Sequence, residues 1–391
     1  MRIPEYVSEL IDRLEGAGES TYIVGGSLRD ALLGKNPYDY DVATSALPEK
    51  TKAIFADMRV IETGIKHGTV TVISDSHPVE ITTFRIDGSY TDSRHPDKVA
   101  FTDKISEDLS RRDFTVNAMA YSPKRGFVDV FGGKDDLGAG IIRAVRDPYE
   151  RFSEDALRIL RAFRFSSQLG FEICEETLRA CGECKAGISE LSAERVCSEL
   201  LRLLSGESPV RPLRQMSELG ILPLVMRGYS PSDKLISLVD KMPPDSSARL
   251  GFLLSEADSE QVSAVLSALK CSNKQKTAAL AVVRGSRFGV SSRAEAGRLV
   301  ALSGVYSQWA VAASVLLGVS PKEAEEWVKG SKAPSSISQL AVSGRDIMAL
   351  GAQGKRIGEV LSALFELAVA DPDLNDREKL LHLAKQMTDN S

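Results

Sequence analysis

The amino-acid sequence predicts an α+β head built on a small mixed sheet, followed by an all-α remainder. Short, strand-like runs of apolar residues are confined to the first third of the chain. From about Asp147 onward, apolar residues recur instead with the three- to four-residue spacing of amphipathic helices. The length of 391 residues is enough for two to four packed units. We therefore expect the mixed head to be followed by several helical segments.

The head elements are predicted in a simple order along the chain. An amphipathic helix over residues 4–15 leads into the short apolar strand Thr21–Val24. Further strands are expected in the runs 38–42, 69–73, 79–85 and 127–130.

The helical part is predicted from periodicity and from its interruptions. Helices are expected over 148–168, 175–185, 189–205 and 209–220, and further helices follow to the end. Residues 329–336 have the composition of a linker or turn before a final helical unit. These breaks predict four domains: a mixed head at 1–146, a helical neck at 147–205, a helical body at 206–335 and a helical tail at 336–391.

Composition and charge restrict the class of protein. The sequence has no apolar run long enough to span a membrane and no signal-peptide core at its start, and its five cysteines are scattered. We expect reduced thiols in a cytoplasmic protein, although Cys181 and Cys184 have the spacing of half a zinc site. The net charge of −5 excludes a globally basic nucleic-acid coat, so any RNA has to bind at local basic surfaces.

Two carboxylates form the sharpest local pattern. Asp39 and Asp41 stand two residues apart in a strand-like run, and side chains alternate along a strand, so both are expected on one face. Carboxylates this close repel each other unless a cation lies between them, and a divalent ion prefers such oxygen ligands. A solvated strand end is the alternative for an Asp-x-Asp pair on its own.

A glycine turn precedes this pair. Gly25, Gly26 and Ser27 follow the strand and open a predicted helix over 28–33. The glycines allow a phosphate to approach the backbone, and the first N–H groups of a helix favour an anion. A capping box between Ser27 and Asp30 is an alternative that is compatible with this role. The turn, the helix and the Asp-x-Asp strand together predict a triphosphate and a metal in one place.

Residues 25–30 (GGSLRD) and 39–44 (DYDVAT) resemble the head-domain signature of the polymerase-β-like nucleotidyltransferases. More narrowly, the chain is similar to bacterial class II CCA-adding enzymes and poly(A) polymerases, over roughly residues 20–205 and again after about 338. The resemblance implies that Asp39 and Asp41 are catalytic and hold two Mg²⁺ ions. It also implies that Gly26 and Arg29 line the triphosphate and sugar side.

Residues 111–118 (RRDFTVNA) resemble a second family segment. Arg112 is expected to meet the triphosphate, because a guanidinium fork matches phosphate oxygens. A salt bridge from Arg112 to Glu107 or Asp108 is the alternative.

Two neighbouring features of the head leave more open. Glu80 is either a third acidic group near the metals or a surface glutamate. The polar, glycine-containing segment 85–98 is expected to be a loop beside the site, and the resemblance implies that it serves the addition of the terminal A.

The segment 152–165 is the most informative part of the predicted neck. On one continuous helix, one face would be apolar and the other would carry Asp155, Arg158, Arg161 and Arg164. A solvated charged face is the usual explanation, but arginines without interleaved acids favour an anionic or base ligand. Residues 154–158 (EDALR) look like the family's amino-acid template, and Arg161 and Arg164 match positions that complete nucleotide binding.

The hydrogen-bonding chemistry of Asp155 and Arg158 fits the selection of a base. Cytosine N4 and adenine N6 are donors beside a ring-nitrogen acceptor, so Asp155 would accept the amino proton and Arg158 would donate to the ring. Uracil and guanine carry the reverse pattern, and each mismatched buried group costs roughly 1–3 kcal/mol.

The resemblance therefore implies metal-dependent, template-independent addition of CCA to the 3′ end of tRNA from CTP and ATP, with release of pyrophosphate. It also implies that the head at 1–146 is catalytic, that the neck at 147–205 recognises the base and that the tail at 336–391 binds tRNA. The expected partners are tRNA and these nucleotides, without DNA, a membrane or an obligate protein partner. Enzymes that add only A or only CC, and poly(A) polymerases, are the near alternatives. An inactive RNA-binding protein on the same scaffold is the alternative from another class.

Overall fold

The computed structural model describes residues 3–37, 39–62, 64–87 and 99–389. These residues form two compact units, Met1–Arg195 with Leu219–Ile221, and Val196–Glu218 with Leu222–Ser391. The mixed sheet lies in the first unit and the second is helical, so the predicted fold class is confirmed.

The first unit is built on strands and short helices. Its strands are β1 Thr21–Val24, β2 Asp41–Thr44, β3 Arg59–Ile61, β4 Thr69–Ser74, β5 His77–Thr83, β6 Arg85–Asp87, β7 Val99–Phe101, β8 Ala120–Ser122, β9 Gly126–Val128, β10 Ile141–Ile142 and β11 Glu172–Ile173. Its helices are α1 Glu5–Gly16, α2 Gly25–Leu32, α3 Pro48–Ile54, α4 Ile105–Ser110, α5 Gly133–Ala139, α6 Pro148–Glu154, α7 Leu157–Leu169 and α8 Glu175–Glu183.

The sheet of the first unit has seven strands in the order β3-β4-β5-β2-β1-β8-β9. Strand β1 pairs antiparallel with β2 and β8, whereas β2 runs parallel to β5. Every side chain of β1 is buried, because helices cover the sheet where β1 lies near its centre. The mixed pairing brings the start of β2, the end of β1 and the middle of β5 side by side.

The second unit is a helical array with several small cores. Its helices are α9 Ala193–Leu204 (whose first three residues belong to the first unit), α10 Val210–Glu218, α11 Leu222–Val225, α12 Asp233–Leu238, α13 Ser246–Leu253, α14 Ser259–Ala268, α15 Asn273–Ser286, α16 Arg293–Ser303, α17 Ser307–Leu316, α18 Glu323–Lys329, α19 Gly344–Ala349, α20 Lys355–Ala370 and α21 Arg377–Asp389. Residues 330–336 between α18 and the next helical turn are irregular, as predicted. Beyond them, a separate apolar cluster centred on Ile347, Leu364 and Leu380 forms the core of the C-terminal segment.

Several predicted boundaries differ from those of the structure. The helix after β1 begins at Gly25 instead of residue 28, so the glycines form its first turn. The strand predicted over 38–42 begins only at Asp41, and Asp39 lies in a bend before it. The helix predicted over 148–168 is two helices, interrupted at Asp155 and Ala156. The short strand β11 lies beyond Asp147, where we expected none.

One helical run reaches the length and apolar composition of a membrane span, which we did not expect from the sequence. It covers Arg293–Leu316, and only a third of its most apolar window is buried in the protein. It is not one helix, because α16 ends at Ser303, the next residue Gly304 has a φ of 54°, and α17 starts after a 3₁₀ turn. Ala296, Leu299 and Val311 from its two helices pack into a shared core, which is the ordinary role of apolar helices in a helical array.

Candidate active site

The turn after β1 is fixed by the backbone at Gly25. Its φ is +70°, and a Cβ there would lie 3.2 Å from Arg112 Nη1 and 3.3 Å from Asp41 Oδ2. The Ser27 hydroxyl donates to the carbonyl of Val24 at 3.0 Å and accepts the amide of Asp41 at 3.4 Å. The alternative capping box of Ser27 with Asp30 does not form; the hydroxyl instead ties the turn to β2.

The carboxylates are brought together by strand pairing. Asp41 lies opposite Val24 on β1 and opposite Glu80 on β5. Burial raises the pKa of Asp41 to about 6; Arg112 opposes this shift, while Asp39 and Glu80 add to it. Asp39 is exposed and precedes the strand, so the predicted common strand face was wrong, although Asp39 still acts electrostatically on Asp41.

This donor set suits a divalent cation. A partly buried carboxylate with two further carboxylates nearby carries excess negative charge, which a hard cation relieves. Among the residues that the structure describes, no group of three or more His, Cys, Asp or Glu side chains is arranged to hold a metal by itself. The arrangement thus offers the carboxylate pair Asp39 and Asp41, without a complete protein cage.

A cavity of about 600 Å³ opens beside Asp41 and is dominated by arginines. All seven residues predicted to bind the nucleotide line it: Gly26, Arg29, Arg112, Asp155, Arg158, Arg161 and Arg164. Eight arginines and three aspartates are among its lining residues, so it is locally cationic within an acidic protein. Asp39 is not one of the described residues that line it.

Two of these arginines are oriented by partners in the same unit. Arg29 contacts Asp30 at 2.7 Å and donates to Asn117 Oδ1 at 2.7 Å. Arg112 forms the alternative salt bridge predicted from the sequence, with Asp108 at 3.0 Å. This bridge leaves the Arg112 guanidinium next to Gly25 and Asp41, and its buried Nε has no hydrogen-bond partner among the described residues.

Asp155 lies in the break between α6 and α7. Its backbone is extended, with φ −150°, and its Oδ1 accepts the amide of Leu157 at 3.0 Å at the start of α7. Its Oδ2 accepts from Arg195 Nη2 at 2.7 Å. The single helix face predicted for Asp155 and Arg158 was therefore wrong, although both residues line the cavity.

Arg158 is buried and held by oxygens of the protein. It donates to Glu154 Oε2 at 2.5 Å, to the carbonyl of Arg151 at 2.9 Å and to that of Arg111 at 3.2 Å. No acid lies between Arg158, Arg161 and Arg164, as the sequence shows, but Glu154 stands four residues before Arg158 and pairs with it.

The other two arginines of this helix surround Phe165. Arg164 lies 4.1 Å and Arg161 5.3 Å from the ring centroid, within cation–π range, and Arg29 also lies 5.3 Å from it. Arg161 Nε also donates to Asp113 Oδ2 at 2.7 Å.

Asp113 is a buried carboxylate, and together its charged and hydrogen-bonding partners lower its pKa by more than burial raises it. Burial alone would raise its pKa, but the charge of Arg161 and the hydrogen bonds from Asn117, Arg161 and the amide of Phe114 lower it to about 2. Asp113 thereby links Arg161 to Asn117, and through Asn117 to Arg29.

Sequence reasoning gave no site role to several residues that line this cavity, among them Asp113, Asn117, Phe165 and Arg195. The first two stand inside the segment that drew attention to Arg112, so their proximity was a usable signal. Arg195 had none, because it lies 40 residues from Asp155. Of the predicted loop 85–98, the structure describes Arg85–Asp87, which pair antiparallel with Val99–Phe101; residues 88–98 lie outside the described residues.

Comparisons with known proteins point to one family. Residues 21–143 match the poly A polymerase head domain, and residues 170–231 match the probable RNA and SrmB-binding site of polymerase A. The chain is 35% identical to a CCA-adding enzyme of Levilactobacillus brevis, covering 96% of both chains. It is also 35% identical to one of Enterococcus faecalis, covering 96% of this chain and 94% of that one.

A solved structure of a CCA-adding enzyme has the same fold as this chain along its whole length. The crystal structure of the Bacillus stearothermophilus CCA-adding enzyme in complex with CTP superposes with a TM-score of 0.84 at 29% identity, covering 100% of this chain and 99% of that one. Two full-length relatives above 30% identity and a shared fold along the entire chain lead to one conclusion: this chain belongs to the family of CCA-adding enzymes.

Proposed function

We propose that this protein adds C, C and A in turn to the 3′ end of tRNA without a nucleic-acid template, using CTP and ATP and releasing pyrophosphate. The observation that carries the proposal is the arginine-lined cavity, which joins the glycine turn and Asp41 to Asp155 and Arg158. The similar Bacillus stearothermophilus enzyme, whose crystal structure is in complex with CTP, supports a nucleotide as the ligand.

The positive charges of the arginines would neutralise the negative charge of a triphosphate. The terminal 3′-hydroxyl of the RNA attacks the α-phosphorus, the bond to the leaving pyrophosphate breaks, and negative charge builds on the phosphate oxygens. Arg112 lies next to the glycine turn and is suited to neutralise that charge. Gly26 and Arg29, on the first turns of α2, would line the triphosphate and sugar side.

We propose that Asp39 and Asp41 hold two Mg²⁺ ions. Bound there, the ions would stabilise the attacking and leaving oxygens of the displacement. The raised pKa of Asp41 supports this assignment, since a nearby cation would compensate the burial and the two neighbouring carboxylates that raise it.

Base choice is assigned to Asp155 and Arg158. Asp155 would accept the amino proton of cytosine or adenine, and Arg158, after exchanging or sharing a present partner, would donate to the base. Arg161 and Arg164, ordered around Phe165, would complete the nucleotide pocket. We propose the tail at 336–391 as the tRNA-binding part and the reducing cytoplasm as the compartment, where five free cysteines are ordinary.

Replacing the metal-binding carboxylates tests the reaction itself. Asp39→Asn and Asp41→Asn should each abolish addition of both C and A to tRNA that lacks its CCA end, because both steps share one metal site. Sized products from each nucleotide alone, and from CTP with ATP, measure this and separate full CCA addition from CC-only, A-only or poly(A) synthesis.

The folded state and tRNA affinity of these variants should stay close to wild type, because Asp39 is exposed and Asp41 is only the first residue of its strand. Addition of C by either variant would contradict the metal assignment, and wild-type protein without any nucleotide addition would contradict the proposed function.

Replacing Asp155 tests base choice separately. Asp155→Ala should lower kcat/KM for CTP and ATP by about tenfold or more, and raise UTP and GTP relative to them, because the amino group loses its acceptor and a base carbonyl loses its repulsion. The measurement is kcat/KM for the four triphosphates on the same tRNA. An unchanged order of preference would show that selection lies elsewhere.

A further inference from the structure

The carboxylate of Asp155 is held by one donor on each oxygen. The Leu157 amide binds Oδ1 at 3.0 Å, and Arg195 Nη2 binds Oδ2 at 2.7 Å. Arg195 enters from α9, outside the helix pair that carries Asp155, and both residues line the cavity. Their side chains are about one-fifth to one-quarter exposed, so their ion pair is not a fully solvated surface contact.

These two donors fix the plane of the carboxylate. Asp155 has an extended backbone between two helices, so no helix packs its side chain into one rotamer. The Leu157 amide alone would leave the group free to turn about its bound oxygen. A charge-assisted bond to the second oxygen removes that freedom, and the lone pairs that remain on the carboxylate can still accept from a ligand.

We infer that Arg195 is a positioning residue for base selection: it holds the Asp155 carboxylate in the orientation that accepts the amino group of cytosine or adenine. The inference rests on the proposed function, because it assigns no role to Arg195 unless Asp155 reads the base. An acceptor aimed at one edge of a base discriminates only while its direction is fixed. Loss of Arg195 should therefore relax the choice of base more than it weakens nucleotide binding in general.

The same unit offers a matched control away from the cavity. Arg179 in α8 pairs with Glu175 at 2.7 Å, but this pair is exposed, local and four residues apart on one helix. Arg179→Ala removes the same kind of side chain and the same kind of charge partner, away from the cavity. It should leave nucleotide preference unchanged.

The test compares Arg195→Ala, Arg195→Gln, Arg179→Ala, Asp155→Ala and the double variant of Arg195 and Asp155. We would measure kcat and KM for CTP, ATP, UTP and GTP on tRNA that lacks its CCA end. Arg195→Ala should lower the ratio of kcat/KM for CTP to that for UTP by about tenfold, the effect of one charge-assisted hydrogen bond. The double variant should be no less selective than Asp155→Ala alone, because both changes disable one unit.

Each other outcome overturns one specific statement. An equal loss of kcat/KM for all four nucleotides in Arg195→Ala, or additive effects in the double variant, would overturn the positioning role. If Asp155→Ala itself keeps the wild-type order of nucleotide preference, Asp155 does not read the base. That result contradicts the proposed function of Asp155, whatever Arg195 does. If Arg195→Ala does not fold by circular dichroism, Arg195→Gln, which keeps a donor without the charge, decides by the same ratio.

Discussion

Gly25 combines two constraints at the turn after β1. Its φ of +70° lies in the left-handed region, and the space that a Cβ would take is bordered by Arg112 and Asp41. Gly34 has nearly the same φ, +73°, but nothing lies within 4 Å of a Cβ added there. Substitutions at these two glycines can therefore be compared to separate the cost of backbone strain from the cost of crowding at the site.

Gly25→Ala should lower kcat/KM for CTP and ATP by an order of magnitude or more, whereas Gly34→Ala should lower stability without a comparable loss of activity. Both variants carry the strain of a left-handed alanine, roughly 1–2 kcal/mol, but only Gly25→Ala also displaces Arg112 or Asp41. Steady-state kinetics and thermal unfolding on both proteins check this. Equal activity losses would show that strain, and not the close approach, explains the glycine.

Single residues also show where sequence reasoning could succeed. The residues predicted to bind the nucleotide all line one cavity. They could be identified without a structure because their segments carry recognisable motifs. Their hydrogen-bond partners could not be predicted, since Arg161, for example, pairs with Asp113, 48 residues earlier. Periodicity reports which face of an element a residue occupies; it does not report which distant segment packs against that face.

At the scale of elements, the break between α6 and α7 was the most consequential error. The sequence 148–168 contains no glycine or proline after Pro148, and its apolar spacing continues across the break. The interruption arises from Asp155, whose side chain accepts the Leu157 amide and so competes with a continued helix. Aspartate at such a position is compatible with either outcome, and tertiary contacts such as the one from Arg195 select the break.

Strands were predicted well where burial decides them. Thr21–Val24 was correct because four consecutive buried residues, with partner strands on both sides, need an uninterrupted run of apolar or β-branched side chains. The start of β2 was wrong by three residues, because Asp39 and Tyr40 continue the alternating pattern but do not pair with β1 or β5. Alternation alone does not fix where pairing begins.

At the scale of the whole molecule, charge is distributed very unevenly. The chain has a net charge of −5, yet eight arginines line one cavity of the first unit. Composition therefore could not indicate a nucleotide-binding protein, whereas motifs could. The same arginines need paired carboxylates to be held in place, and this makes the stability of the unit sensitive to acid.

Asp113→Asn should lower the free energy of unfolding of the first unit by about 2 kcal/mol near neutral pH, because it uncouples Arg161 from a buried acid. The pKa of Asp113 is lowered from 3.8 to about 2 in the folded protein, so its contribution is complete above the unfolded value and is lost as the pH falls towards 2. The difference between wild type and variant should thus be constant from about pH 7 to 5 and shrink below about pH 4. Urea unfolding followed by circular dichroism measures this difference, while Trp309 and Trp327 fluorescence follows the second unit separately.

Asp57→Asn, which removes an exposed pair with Arg13, is the control and should change stability little. A difference that persists unchanged at about pH 3 would show that the ion pair of Asp113 is not its source.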